Sequence, residues 1–139
     1  MTPQVLDASV AIKWFVEGET GRAEAIELLD RIRDDPSAFV VPELFFNEML
    51  AVLARLVRSD GSALRGHLEA LQDLGMERVG NGRELISKAS GIASRYRLSG
   101  YDSIYAACAD LTGGCWLTAD LRAHRRIQRL KISRAICQA

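Results

Sequence analysis

The stretch QVLDAS, residues 4–9, is the starting point for inferring the fold. Its apolar run is too short for a helix and stops at Asp7, which predicts a brief buried strand. A similar arrangement returns in CWLTAD, residues 115–120, where a second apolar run is followed by Thr118 and Asp120. Because α/β sheets bind ligands beyond the carboxyl ends of their strands, we expect both carboxylates at a functional site.

Short apolar runs alternate with helical periods along the rest of the chain. Strands are predicted at residues 4–6, 39–41, 76–79, 115–117 and 131–133. Helices are predicted between them, at residues 9–16, 23–33, 42–58, 62–74, 82–96, 102–111 and 119–130. Such alternation implies right-handed crossovers and predicts a three-layer α/β/α sandwich with a mainly parallel central sheet. At 139 residues, the chain is expected to form one domain, residues 1–139.

The composition excludes several classes of protein. Apolar residues make up 48% of the chain and charged residues 26%, which is typical of an ordered globular protein and not of a disordered one. The longest stretch without a charge, residues 111–119, has nine residues, whereas a membrane-spanning helix needs about 20. No signal peptide is visible, and Cys108, Cys115 and Cys137 lack metal-ligand spacing. We therefore expect a cytoplasmic protein with reduced thiols and no membrane contact.

The formal net charge is zero, but the two halves of the chain differ. Residues 1–70 carry a net charge of −5, and residues 71–139 carry a net charge of +5. In the last predicted helix, arginines recur at the i, i+3, i+4, i+7 spacing of one helical face, at Arg122, Arg125, Arg126 and Arg129. Such a face can hold a phosphate backbone, so these arginines are candidates for nucleic-acid binding. The alternative is a face that is solvated or paired with the acidic half.

Three acids stand at the starts of predicted helices. Asp7 and Asp120 follow strands, although each could simply cap the helix that comes next. Asp102 opens a helix of mostly apolar and small residues, which Ser99 could cap equally well. The positions are therefore consistent with a shared site but also with ordinary helix capping.

Glu48 is the acid that capping cannot explain. It lies in LFFNEMLAVLA, residues 44–54, where apolar side chains surround nearly the whole predicted helix. An unpaired carboxylate buried there would be costly, so it needs a cation or several hydrogen-bond donors. The simpler alternative is a narrow solvent-exposed stripe that Glu48 shares with Asn47.

Convergence of these acids on one cleft would require a counterion. Hard divalent cations with oxygen ligands relieve the repulsion between carboxylates. The lack of nearby histidine or thiolate disfavours zinc, so Mg²⁺ or Mn²⁺ is expected. Because carboxylate-bound Mg²⁺ commonly serves phosphoryl chemistry, the residues alone indicate a metal-dependent phosphodiesterase.

Four blocks of sequence match one known family in its order and at its spacing. The blocks are VLDASVAIKWF at residues 5–15, VPELFFNEMLAVL at residues 41–53, Tyr101-Asp102 with Tyr105, and LTAD at residues 117–120. Over about residues 4–133, the chain resembles a PIN domain, specifically the VapC toxins of prokaryotic type II toxin–antitoxin systems. The resemblance implies a parallel α/β/α sandwich and an Mg²⁺- or Mn²⁺-dependent endoribonuclease.

The resemblance also implies roles for particular residues. Carried over by position, the acidic metal and catalytic site would consist of Asp7, Glu48, Asp102 and Asp120. Ser9 and Thr118 would be supporting hydroxyls beside it. The family further implies an RNA substrate, a cognate antitoxin whose tail enters the active-site groove, and a homodimer. One departure is visible, because Ala51 stands where many relatives carry asparagine, three residues after the glutamate.

Three other interpretations can be compared with this one. A phosphoryl-accepting receiver domain would need paired acids after the first strand, whereas Asp7 stands alone. A haloacid-dehalogenase-type phosphatase would need a second aspartate where Ser9 stands. A PIN-like scaffold that binds RNA or protein without catalysis differs in one measurable way, because only the enzyme would cleave RNA and lose that activity with EDTA.

Overall fold

One sheet of parallel strands forms the centre of the molecule. The computed structural model describes residues 2–58 and 60–136, so the thiol predicted at Cys137 lies outside the described residues. The strands are β1 (Gln4–Leu6), β2 (Phe39–Pro42), β3 (Glu77–Val79), β4 (Cys115–Thr118) and β5 (Ser133–Ala135). They are ordered β3-β2-β1-β4-β5, and every adjacent pair is parallel.

Helices cover the sheet and connect its strands. They are α1 (Ala8–Ala11), α2 (Arg22–Asp34), α3 (Leu44–Leu56), α4 (Gly61–Asp73), α5 (Arg83–Tyr96), α6 (Gly100–Thr112) and α7 (Leu121–Ile127). Short 3₁₀ turns follow α1, α2 and α7, at Ile12–Trp14, Pro36–Ala38 and Gln128–Leu130. The predicted three-layer α/β/α sandwich with a parallel sheet is confirmed.

The strand order reverses between β1 and β4. From β1 the chain adds β2 and β3 on one side and then returns to add β4 and β5 on the other. Val5 of β1 lies opposite Val40 of β2 and Trp116 of β4, and the Asp7 N–H extends the second pairing by donating to the Leu117 carbonyl oxygen at 3.1 Å. A reversal of this kind opens a crevice at the carboxyl ends of the two central strands, where parallel sheets bind their ligands.

Helix α6 is the most deeply packed helix beside this crevice. Residues 105–109 are all buried, and three of these five are alanines. Small side chains allow the helix axis to lie close to the sheet, which brings the first turn of α6 to the crevice. Gly113 ends the helix in the left-handed conformation, with φ of 68°, and its N–H reaches back to the Asp110 carbonyl oxygen at 3.4 Å.

The expectation that α3 is buried on most sides, because apolar residues surround nearly the whole helix, is wrong. Its fully buried residues, Phe45, Met49 and Leu53, form one face, whereas Asn47 and Leu50 are exposed. The apolar residues on the outer side of α3 are therefore at the surface and do not belong to the core. Hydropathy alone could not distinguish surface leucines from core leucines, because both have the same hydropathy value.

Two predicted elements at the end of the chain have different bounds in the structure. The helix predicted at residues 119–130 is an α-helix only from Leu121 to Ile127, after which it tightens into the 3₁₀ turn. The strand predicted at residues 131–133 lies two residues later, because Lys131 has a left-handed φ of 58° that no strand residue adopts. Pairing with β4 runs from the Trp116 N–H, which donates to the Ile132 carbonyl oxygen, to the Ile136 N–H, which donates to the Thr118 carbonyl oxygen.

The first predicted helix, residues 9–16, is also shorter in the structure. Only Ala8–Ala11 is α-helical, and the chain continues as a 3₁₀ turn. The Trp14 indole N–H donates to the carbonyl oxygen of Ala25 in α2 at 2.7 Å, and this tertiary contact holds the tighter turn. A sequence pattern cannot show a contact of that kind.

Cys108 and Cys115 are free thiols, as predicted. Burial raises the pKa of the Cys108 thiol to about 11, so it remains protonated at neutral pH. Within residues 2–58 and 60–136, no helix has both the length and the apolar character required to cross a bilayer.

Candidate active site at the carboxyl edge of the sheet

Asp7 is the most deeply buried of the four candidate acids. It follows β1, caps α1 and is only 5% exposed. One carboxylate oxygen, Oδ1, accepts a hydrogen bond from the Ser9 backbone N–H at 2.9 Å, and the other, Oδ2, accepts one from the Trp116 indole N–H at 2.8 Å. Asp7 therefore does cap α1, as the alternative interpretation of the sequence predicted. Capping does not use up the carboxylate, because each oxygen keeps a second lone pair.

Asp120 lies across the crevice from Asp7, after β4. Its Oδ1 atom caps α7 by accepting from the Ala123 N–H at 3.1 Å. The loop before it is fixed by two hydroxyls: Thr118 Oγ1 accepts from the Asp120 N–H at 3.0 Å, and Ser9 Oγ accepts from the Ala119 N–H at 3.0 Å.

The two hydroxyls join the ends of the central strands. Ser9 Oγ and Thr118 Oγ1 lie 3.5 Å apart, so the segment after β1 is tied to the segment after β4. Thr118 is fully buried. These contacts are consistent with the supporting role that the family resemblance implies for both residues, because they hold the backbone that carries Asp7 and Asp120.

Glu48 reaches the crevice from α3. Its carboxylate is half-buried, and Oε1 accepts a hydrogen bond from the Tyr105 hydroxyl at 2.7 Å. Asn47 beside it is exposed, so α3 does carry a polar stripe, but Glu48 lies at the inner margin of that stripe.

Asp102 reaches the crevice from the first turn of α6. Ser99, and not Asp102, caps this helix, because Ser99 Oγ accepts from the Asp102 N–H at 3.1 Å. The Asp102 carboxylate is therefore not needed as a cap. Tyr101 beside it is 63% exposed.

The charges of the four acids influence one another. Burial raises the pKa of Asp7 to about 7, with a smaller contribution from the charges of Glu48 and Asp102, against the lowering effect of its two hydrogen bonds. Burial and the charge of Asp102 raise the pKa of Glu48 above its usual value. Burial and the charge of Asp120 do the same for the pKa of Asp102. These charge effects connect Asp7 with Glu48 and Asp102, Glu48 with Asp102, and Asp102 with Asp120, as is typical of acids that share one crevice.

The donor set suits a hard divalent cation. No lysine or arginine forms an ion pair with any of the four acids in the described part of the chain. In the same residues, no group of three histidine, cysteine or acidic side chains is arranged to hold a metal ion by itself. Mg²⁺ is commonly held by one or two carboxylates together with several waters, so a loose set of carboxylate oxygens fits it. The residues that would hold it are Asp7, Glu48, Asp102 and Asp120.

The predicted face of four arginines is only partly formed. Arg129 lies in the 3₁₀ turn after α7, so the i, i+7 spacing from Arg122 no longer applies. Arg122, Arg125 and Arg126 are on α7 and exposed, and Arg126 donates to the Arg97 carbonyl oxygen. The capping residue of α7 is Asp120, so the basic residues begin directly beside the acidic cluster.

Two residues of the site carried no assigned role from the sequence. Trp116 was expected only as a strand residue, and Tyr105 only as part of a family motif. Both donate hydrogen bonds to acids of the cluster. A buried tryptophan or tyrosine beside an acidic motif is a usable signal, because the polar tip of such a ring needs an acceptor.

Comparison with known families identifies the family of this chain. The model of the PIN domain family matches residues 5–130. The chain therefore belongs to the PIN domain family. No curated protein sequence matches it significantly.

Solved structures with the same fold are distant in sequence. FitAcB from Neisseria gonorrhoeae aligns with a TM-score of 0.70 at 15% identity, covering 96% of each chain. VapBC2 from Rickettsia felis, bound to a DNA fragment from its promoter, gives 0.68 at 11% identity over 96% of this chain and 98% of that one. A toxin–antitoxin complex from Klebsiella pneumoniae gives 0.65 at 15% identity over 94% and 95%. At these identities, the likeness establishes the fold.

Proposed function

We propose that this PIN domain is a divalent-metal-dependent endoribonuclease that acts in the cytoplasm as the toxin of a toxin–antitoxin pair. The observation that carries the proposal is the cluster of four carboxylates at the strand-order reversal. Burial and neighbouring acids raise the pKa values of Asp7, Glu48 and Asp102, and no described lysine or arginine forms an ion pair with any of the four acids. Such a cluster is costly to maintain, and a bound cation would remove the cost.

Burial of the acids falls from the floor of the cluster towards solvent. Asp7 is buried, Glu48 and Asp102 are half-buried, and Asp120 is exposed. Mg²⁺ or Mn²⁺, when bound by these carboxylates, would supply a Lewis acid and an oriented water for phosphodiester hydrolysis. Asp7 would fix the inner side of the site, while Asp102 and Asp120 would face the RNA.

The basic residues of α7 would hold the RNA backbone. Arg122 and Arg125 follow Asp120 on the helix that Asp120 caps, so a phosphate chain bound there is adjacent to the acids. Contacts of this type position a nucleic acid without reading its sequence. Arg126 and Arg129 stay in the proposal as neighbouring cations of the same segment.

The same cluster suggests the form of the protein partner. A segment of an antitoxin that brings lysine or arginine into the crevice would neutralise the four acids and block the site. One of the structural relatives, that from Klebsiella pneumoniae, is named as a toxin–antitoxin complex. We propose a cognate antitoxin that binds in this way, and a homodimer of the toxin.

Cleavage of RNA by purified protein tests the enzymatic proposal. Wild type should cleave single-stranded RNA with Mg²⁺ or Mn²⁺ and lose the activity in EDTA. Asp7→Asn and Asp102→Asn should each lose at least about a hundredfold, because each removes a charge from the cluster. Asp34→Asn, at the exposed end of α2, is the matched control and should keep wild-type activity. Wild-type activity in Asp7→Asn and Asp102→Asn as well as in the control would assign the cleavage to a contaminant.

A non-catalytic PIN-like scaffold is the second candidate function. It is favoured by one observation, namely that no three described side chains hold a metal ion by themselves. A scaffold would bind RNA or a protein partner at saturating Mn²⁺ with no cleavage, and its melting temperature would not respond to the ion. The enzyme should instead melt at a higher temperature with Mn²⁺, and Asp7→Asn should remove most of that rise.

A further inference from the structure

Two buried aromatic rings, Tyr105 and Trp116, lie directly behind the acidic cluster. Trp116 has no exposed surface and Tyr105 is 1% exposed. Their ring centroids are 6.2 Å apart, and the ring planes are within 9° of parallel, an offset stacking arrangement. Because each ring restricts the rotamers of the other, the polar atoms at their tips have fixed positions.

Each ring donates one hydrogen bond to a different acid. The Trp116 indole N–H donates to Asp7 Oδ2 at 2.8 Å, and the Tyr105 hydroxyl donates to Glu48 Oε1 at 2.7 Å. An indole N–H is a donor only, and the Tyr105 hydroxyl is the donor in its contact with the Glu48 carboxylate oxygen. Both contacts therefore favour carboxylates in the ionised form that binds a cation.

The pair also connects elements that are distant in the chain. Trp116 belongs to β4 and Tyr105 to α6, while the acids they hold belong to the segment after β1 and to α3. Tyr105 is three residues after Asp102, one turn further along the same helix. A single stacked unit thus fixes Asp7 and Glu48 relative to the helix that carries Asp102.

We propose that Tyr105 and Trp116 act as one positioning unit, which orients Asp7 and Glu48 for divalent-cation binding and couples the indole of Trp116 to occupancy of the site. The inference rests on the proposed function, because it concerns the same carboxylates. Hydrogen-bond donors behind metal-binding carboxylates fix their orientation, and loss of one such donor commonly costs about ten- to a hundredfold in metal affinity.

The alternative is that the rings only fill the core. Substitution by phenylalanine separates the two roles, because it keeps an aromatic ring and removes the donor. The chain offers a matched control in its second tryptophan. Trp14 is also buried, and its indole N–H donates to the Ala25 carbonyl oxygen at 2.7 Å, away from the acids. Trp14→Phe loses a comparable ring and hydrogen bond without touching the cluster.

Calorimetric titration of Mn²⁺ into the full-length protein tests the proposal. Trp116→Phe and Tyr105→Phe should each raise the Kd for Mn²⁺ about ten- to a hundredfold, and Trp14→Phe should leave it within about twofold of wild type. Tyr105→Phe is nearly isosteric, so it carries the test if Trp116→Phe does not fold. Folded donor-less variants with the wild-type Kd would overturn the inference.

Tryptophan fluorescence provides a second test. If the rings only fill the core, the emission of Trp116 should not change when a metal ion binds. Trp14→Phe leaves Trp116 as the only tryptophan, and its emission should change on addition of Mg²⁺ with the Kd that a calorimetric titration of the same variant with Mg²⁺ gives. Trp116→Phe leaves Trp14, whose emission should stay constant. Wild type that binds neither ion would contradict the proposed function and this inference together, whereas wild-type affinity in both donor-less variants would contradict this inference alone.

Discussion

At the scale of single residues, Asp7 shows the conflict between stability and function most clearly. Its carboxylate is buried, and burial together with the nearby acids raises its pKa to about 7. Two hydrogen bonds, from the Ser9 N–H and the Trp116 indole, offset only part of the desolvation. The folded protein without metal therefore carries a carboxylate that would be more favourably placed in the unfolded chain at neutral pH.

This arrangement predicts an unusual dependence of stability on pH. The unfolded-state pKa of Asp7 is near 3.8 and its folded-state pKa near 7, so its contribution is most favourable below about pH 4 and is lost as pH rises to 7. In metal-free protein the loss should amount to at most about 4 kcal/mol. Urea unfolding at pH 5 and pH 7 should show a smaller decrease for Asp7→Asn than for wild type. Parallel pH profiles in the two proteins would contradict this account.

The sequence predicted the acids of this site better than it predicted their partners. Asp7 and Asp120 were expected because each lies just beyond the end of a strand. The indole of Trp116 could not be assigned to Asp7, because the two residues are 109 positions apart and their contact depends on the pairing of β1 with β4. The sequence could not distinguish helix capping from membership of the acidic cluster either, since Asp7 and Asp120 each cap a helix and also lie in the cluster.

At the scale of elements, the connection between α6 and β4 sets the position of Trp116 relative to Asp7. Gly113 ends α6, and Gly114 follows with no room for a side chain: a Cβ there would be 2.7 Å from the Pro3 carbonyl oxygen. The same oxygen accepts the Cys115 N–H at 2.9 Å and begins the pairing of β4 with β1. Close backbone contact at Gly114 thus sets the register that brings Trp116 to Asp7.

Substitution of Gly114 should loosen this register. Gly114→Ala forces the Pro3 backbone to move, and we expect it to destabilise the fold by about 1–3 kcal/mol, as overpacking usually does. Gly66→Ala is the matched control, because a Cβ at Gly66 in α4 meets nothing within 4 Å and should stabilise the helix by about 0.5–1 kcal/mol. Thermal or urea unfolding measures both. Equal effects of the two substitutions would show that the contact with Pro3 does not constrain the strand.

Element types were predictable from sequence, but several element boundaries were not. Short apolar runs and helical periods correctly gave alternating strands and helices. The displacement of β5 depends on the left-handed backbone of Lys131, and the early end of α1 depends on the contact of Trp14 with α2. Both arise from tertiary structure, which local periodicity does not contain.

At the scale of the whole molecule, the opposite charges of the two halves meet at the site. The acidic cluster contains residues from both halves of the sequence, and Asp120 caps α7, which lies in the basic half. Some of the charge is neutralised internally, since Arg134 pairs with Glu24 at 3.1 Å. Arg122 and Arg125 form no ion pair within residues 2–58 and 60–136, so their charge is available to RNA.

The salt dependence of RNA binding tests the role of this segment. Replacement of Arg122 and Arg125 by alanine should weaken binding to every RNA tested and flatten the log–log salt slope by about 1.4, because each phosphate contact on a single strand contributes about 0.7. Replacement of Arg31 and Arg33 by alanine provides a control with the same loss of charge. These residues lie in the last turn of α2, near the amino ends of the strands and away from the acidic cluster. A slope that changes equally in both double variants would place the RNA elsewhere.

The position of β1 in the middle of the sheet has a consequence for how the protein is made. β1 is translated before the other four strands of the sheet, yet one of its two neighbours, β4, is translated only after β2 and β3. Until then, one side of β1 is an unpaired strand edge, which another nascent copy can join. The partly translated chain is therefore prone to aggregation until β4 is made. A fragment that ends before β4 lacks Trp116, Thr118 and Asp120, and so lacks the complete acidic cluster.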